Sequence, residues 1–154
     1  MDLQVVIWRL TALGWAGTMF FFSTAGFGVR ASELALTRTF SFFHLSISPA
    51  ALGLVNVAVR KSAHVIEYAI FSLLIYRCFL GRNRSYWHPV LACWCVVTAA
   101  VYSLSDELHQ AFVPGRGASI IDCCIDTSGA VIAMLLVYVN VRFLPALRRD
   151  RTAQ

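Results

Sequence analysis

Apolar residues in this chain come in long runs, and the polar ones gather at the joints between them. Uncharged or nearly uncharged stretches cover 10–29, 40–59, 62–76, 85–105 and 127–141. Since about 20 apolar residues cross the hydrocarbon core of a bilayer as a helix, four or five of these runs can contribute spans. The expected fold is all-α: a polytopic membrane helical bundle of four transmembrane helices plus a re-entrant or interfacial helix before the second span. Five spans is the alternative.

The first helix is expected over about 5–23, where Gly14 and Gly17 would allow a neighbouring helix to approach closely. The stretch 24–48 carries glycine, serine, Arg30, Glu33 and Arg38, so it reads as beginning in a loop. Ser48-Pro49 is a good helix start, with serine as N-cap and proline in the first turn. A helix from there to Leu80 would be about 48 Å long, against a hydrocarbon core of about 30 Å. A bend near Arg60-Lys61 is therefore expected, with a re-entrant or interfacial piece at 49–59 and a true span at 61–80. The third span falls at about 89–110, Pro114-Gly115 makes a turn, and the fourth covers about 119–141. The whole of 1–154 reads as a single membrane domain, with a core at about 5–143 and a basic tail at 144–154.

Composition agrees with the pattern: 58% of residues are hydrophobic and 14% charged, with a mean hydropathy of +0.68. Those values describe an integral membrane protein rather than a soluble globule. The five cysteines, Cys78, Cys93, Cys95, Cys123 and Cys124, lie in or beside apolar runs without a CxxC pair, which makes them packing residues. Arg9 followed by the apolar run 10–22 and the small Ser23 and Ala25 resembles a secretory signal, yet nothing downstream looks like a secreted domain, so a retained helix is expected.

The net charge of +5 comes from basic residues scattered near segment ends, with no nucleic-acid-binding module around them. Lipid headgroups and membrane orientation account for it better. With four spans, Arg9, Arg77, Arg82, Arg84, Arg142, Arg148, Arg149 and Arg151 share one face, eight of the thirteen basic residues. The positive-inside rule puts that face and the C-terminus in the cytoplasm, and the segment 106–126 outside.

That segment holds the candidate chemistry. Asp106 and Gln110 stand one helical turn apart, as do Asp122 and Asp126, and Arg116 follows Pro114-Gly115 between them. At the same membrane level, spacings of three and four place Lys61, His64 and Tyr68 on one face of the second span, with Glu67 adjoining. Ionisable groups at a bilayer edge persist mainly where they face a bundle interior, a cavity or a substrate, so three helix ends are expected to converge on one extracytoplasmic pocket.

Each residue there has two readings. Arg116 suits a forked contact to phosphate or carboxylate, or else anchors at the interface or pairs with Asp122. Lys61 marks orientation or contacts a headgroup. His64 and His109 can shuttle protons or serve as hydrogen-bonded structural groups. Glu67 can partner Lys61 or Arg60. Asp106, Glu107, Asp122 and Asp126 can form an acid/base pair, a divalent-cation site or counter-ions for Arg116 and Lys61. No recognised metal-ligand spacing favours the metal site, and no phosphate loop, nucleophile elbow or dinucleotide fingerprint is present, so no cofactor is expected. Tyr68, Tyr86, Trp87, Trp94 and Tyr102 read as packing or interface-belt residues, and Glu33, His44 and His88 as surface groups.

At these residues the chain resembles the VanZ-like family of bacterial membrane proteins, whose founding member is associated with teicoplanin resistance. The family's Lys-x-x-His-x-x-x-Tyr pattern matches Lys61, His64 and Tyr68. Its Asp-Glu-x-x-Gln, Pro-Gly-Arg and following Asp match Asp106, Glu107, Gln110, Pro114, Gly115, Arg116 and Asp122. The late Asn-x-x-Gly corresponds to Asp126 and Gly129, so a carboxylate stands where the family commonly has a neutral amide. Ser23-Thr24 is a loose echo of a Ser-Ser-Gln-like element after helix one. The resemblance implies a multi-pass protein of the bacterial inner membrane that deals with membrane lipids and a cell-envelope component.

Three functions compete. In an outer-leaflet hydrolase or transferase acting on a lipid-linked, phosphate-bearing or peptidoglycan-related substrate, His64, Asp106, Glu107 and Asp122 would carry the chemistry. Lys61, Tyr68, Gln110, Arg116 and Asp126 would hold the substrate. In a non-catalytic binding factor the same cations would bind a lipid, an envelope precursor or a glycopeptide-related ligand. An ion-coupled carrier ranks last, because its acids belong near the midplane and these crowd the outer edge.

Overall fold

The structure, a computed structural model, describes residues 3–24, 28–80, 87–113 and 117–151, the last eight of them as backbone alone. Five helices follow one another: α1 (Leu3–Phe22), α2 (Val29–Phe42), α3 (Pro49–Leu80), α4 (Pro89–Gln110) and α5 (Ile120–Arg151). Four of them, α1, α3, α4 and α5 over Ile120–Phe143, are long and apolar enough to cross a membrane.

The additional helix expected before the second span exists, but at a different place. It is α2, within the stretch read as a loop, whereas 49–59 belongs to one unbroken helix of 32 residues. Ser48 opens α3 as the sequence suggests: its Oγ accepts the Ala51 N–H at 3.3 Å, and Pro49 follows. Between Pro49 and Leu80 no residue breaks the 3.6-residue repeat, and continuous backbone hydrogen bonding is preferred where water is scarce. At about 48 Å the helix outruns the hydrocarbon core, so one end projects or tilts.

No α2 residue is buried. The helix ends in a Schellman turn in which the His44 N–H donates to Ser41 O and the Leu45 N–H to Phe40 O, with His44 at φ 54° where glycine is usual. Its start is tied to α3 by Asn56, whose Nδ2 donates to Val29 O at 3.3 Å. At the other end of the chain, α5 runs through the basic tail to Arg151.

α3 is the hub, in contact with α1, α2, α4 and α5. The core joins Tyr68, Phe71, Ile75 and Tyr76 of α3 to Ala92, Cys95 and Ala99 of α4, Ala130, Ala133 and Met134 of α5, and Met19 of α1. Small side chains let the helix backbones draw close, the main source of attraction once lipid has removed the hydrophobic drive between helices. The close approach expected at Gly14 and Gly17 does not occur; a Cβ at either would meet open space. Gly129 supplies it instead, because a Cβ there would overlap the Val65 carbonyl oxygen of α3. Two side-chain bonds fasten α1: Trp15 Nε1 donates to Glu67 O at 3.0 Å, and Tyr102 Oη to Ala16 O at 2.6 Å. Interhelical bonds in membranes average only about 0.6 kcal/mol, so they set register while packing holds the bundle.

Candidate functional site

Antiparallel order brings the end of α1, the first half of α3, the end of α4 and the start of α5 to one end of the bundle. Two clefts open there. The larger, about 390 Å³, lies among α1, α2, α3 and α4 and is lined by Ser23, Arg60, His64, Glu67, Tyr68 and Asp106 with apolar walls from Met19, Phe22, Val59 and Ala63. The smaller, about 200 Å³, reaches α5 and is lined by Arg60, Lys61, His64, Gln110, Asp122 and Asp126. Arg60 and His64 line both, so His64 stands in the partition.

His64 Nδ1 lies 3.1 Å from Asp126 Oδ1, and the Asp126 side chain is only 1% exposed. The second Asp126 oxygen accepts the Ser103 hydroxyl at 2.6 Å. Ser103, Asp106 and Gln110 follow at spacings of three and four on one face of α4, and all three are buried. A buried carboxylate held from one side thus faces an imidazole on the other, an arrangement that can orient a proton-transferring histidine.

The other acids are occupied differently. Asp122 Oδ1 accepts from Lys61 Nζ at 2.7 Å, on a partly exposed rim where side-chain exposures are 44% and 37%. Asp106 Oδ2 accepts from Gln110 Nε2 at 2.8 Å. Glu107, buried, accepts the backbone N–H of Ser119 and so holds the entry to α5, where a negative charge also complements the helix dipole. Tyr68 is buried in the wall of the larger cleft, with its ring 6.3 Å from Tyr102. His109 lines neither cleft and packs its ring 4.6 Å from Phe20.

Of the sequence candidates, Lys61, His64, Tyr68, Asp106, Gln110, Asp122 and Asp126 line the two clefts, while Glu107 sits behind them. Arg116 and the turn at Pro114-Gly115 lie outside the described residues, as do Arg82 and Arg84. Among the described residues no group of three or more His, Cys, Asp or Glu side chains is placed to hold a metal ion.

Three contributors were not among the candidates. Ser103 could have been found from its helical register with Asp106 and Gln110. Arg60 adjoins Lys61 and reads from the sequence as a partner for Glu67, and Ser23 as part of the loose motif echo after helix one.

The larger cleft thus sets an apolar wall of Met19, Phe22, Val59 and Ala63 against a convergence of Arg60, His64, Glu67 and Asp106. No curated protein and no solved structure matches the chain. A family model described as VanZ/LLP1 matches residues 8–142, which include every residue of both clefts, and by that match the chain belongs to the VanZ/LLP1 family of membrane proteins.

Proposed function

We propose that the protein is an envelope enzyme of the bacterial inner membrane, a hydrolase or transferase that takes a lipid-linked substrate from the outer leaflet. The observation that carries this reading is the chain His64–Asp126–Ser103, buried on its carboxylate side and facing a cleft on its imidazole side. In the proposed step His64 moves a proton at the scissile linkage while Asp126 holds the ring in place. The apolar wall of Met19, Phe22 and Val59 receives the acyl chain. Arg60 lies where it can meet the headgroup, and Arg116 is the second cation assigned to it. The positive-inside bias supports an extracytoplasmic site and a cytoplasmic C-terminus. A change in teicoplanin susceptibility would be the outward sign of such envelope modification.

The test uses protein reconstituted into vesicles made from total envelope lipids, with products followed by mass spectrometry. General acid–base catalysis contributes about 10²- to 10⁴-fold, so His64→Ala should lower turnover by that order and Asp126→Asn by somewhat less. If both variants insert normally and turn over like the wild type, the mechanism is abandoned. Saturable binding without any product would favour the non-catalytic binding factor, for which the Lys61–Asp122 pair on the rim of the smaller cleft is the supporting contact.

A further inference from the structure

Four buried polar atoms of residues lining the larger cleft have no hydrogen-bond partner among the described residues: Ser23 Oγ, His64 Nδ1, which faces Asp126, Tyr68 Oη and Asp106 Oδ1. Ser23 is 4% exposed, and its Oγ makes no hydrogen bond among the described residues. Its backbone N–H is already used, donating to Met19 O at 3.0 Å and Phe20 O at 3.2 Å. Asp106 is 8% exposed; its Oδ2 is taken by Gln110, and its Oδ1 has no partner among the described residues. Leaving a buried donor or acceptor unpaired costs about 1–3 kcal/mol, more when the group is charged, so such atoms mark a place where something else completes the bonding. Both side chains line the same cavity of about 390 Å³, large enough for a small headgroup.

The chemistry of Ser23 Oγ and Asp106 Oδ1 selects the occupant, and Tyr68 Oη, a hydroxyl that can donate or accept, suits the same class of ligand. A carboxylate oxygen only accepts, so the ligand must bring a donor to Asp106. A hydroxyl both donates and accepts, so Ser23 can meet a second hydroxyl from either side. Glu67 and Asp106 set two carboxylates in the lining against one arginine, Arg60, and His64 faces Asp126, so among the described residues the cleft offers no excess of positive charge to select a phosphate. Apolar side chains from Met19, Phe22 and Val59 cover the remaining approach.

We infer that the larger cleft receives a neutral polyhydroxyl headgroup, a glycan carried on a lipid, with Asp106 Oδ1 accepting one hydroxyl and Ser23 Oγ pairing with another. This rests on the reading of the site as one for a lipid-linked substrate and adds the class of headgroup.

The protein is placed in phosphatidylcholine nanodiscs and titrated with monoglucosyl diacylglycerol, and separately with phosphatidic acid and phosphatidylethanolamine. Trp15, bonded to the Glu67 carbonyl beside the cleft, reports binding by its fluorescence. The glucosyl lipid should bind saturably and more tightly than either rival. Asp106→Asn should weaken it about tenfold and Ser23→Ala about fivefold, the sizes of a charged and a neutral hydrogen bond. Ser72→Ala, which removes a buried hydroxyl that is also unpartnered among the described residues but lies outside the cleft, should change nothing. If Asp106→Asn does not insert, Ser23→Ala decides alone. Preference for phosphatidic acid or for the ammonium headgroup, absence of saturable binding, or wild-type affinity in Ser23→Ala overturns the inference. Turnover lost in His64→Ala without any glucosyl preference sinks this inference and leaves proton transfer standing. A glucosyl preference with full turnover in His64→Ala does the reverse.

Discussion

The two ends of this bundle are built on opposite principles. At the end holding Tyr76, Cys95, Ala130 and Ala133, side chains are small or flat and matched by shape, and Tyr76 stacks on Trp87 at 6.2 Å between ring centres. One polar need there is met locally, the His88 N–H donating to Tyr76 Oη at 3.1 Å, while the buried Ser72 Oγ has no partner among the described residues. At the other end five carboxylates, Glu67, Asp106, Glu107, Asp122 and Asp126, gather with Arg60, Lys61 and His64, and four buried polar atoms of residues lining the larger cleft have no hydrogen-bond partner among the described residues. One end holds the helices together by shape, while the other gathers charge around two clefts. A fold can tolerate the second only because the first has already set the helix positions.

Gly129 is the joint between the two ends, so it offers the strongest way to break the contrast. Gly129→Ala sets a methyl group against the Val65 backbone, which cannot rotate aside, and should cost about 3 kcal/mol or more in thermal unfolding in detergent. If the variant is as stable as the wild type, the close α3–α5 contact is not what aligns His64 with Asp126. Ser103→Ala leaves one oxygen of a fully buried carboxylate without its donor and should lose about 1–2 kcal/mol, with turnover falling alongside. Its unfolding midpoint and pH–rate profile should move together, because the same carboxylate orients His64.

The third change has the opposite sign. Ser23→Ala removes a buried hydroxyl that bonds to nothing described, so unliganded protein should gain about 1 kcal/mol while glucosyl-lipid binding weakens. Loss of stability would show that Ser23 serves the fold. Lys61→Ala should matter least: the pair with Asp122 sits on a half-exposed rim, so it contributes less than about 1 kcal/mol and shrinks with added salt. A larger, salt-independent loss would place the rim pair on the structural side of the comparison.

Residue spacing alone revealed the four long apolar helices and the end of the bundle where the polar cluster gathers, because each depends on runs and repeats within one segment. It also marked Ser48-Pro49 as a helix start, a local matter of cap and proline. It missed α2, whose serine and threonine side chains look loop-like but bond back along the helix, as Thr37 Oγ1 does to Glu33 O at 2.9 Å. It also placed a bend in α3 on grounds of length, when a continuous helix can overrun the bilayer.

What the chain determined by itself is therefore the four long apolar helices, their order along the chain and the end of the bundle at which the ionisable residues collect. Tertiary structure decided the pairings. His64 meets Asp126 across α3 and α5, Lys61 takes Asp122, Glu107 holds the start of α5, and Ser23 faces the same cavity as Asp106. Those outcomes depend on how each helix is rotated about its axis, and that rotation is set by small-residue contacts such as Gly129 on Val65 between segments far apart in sequence.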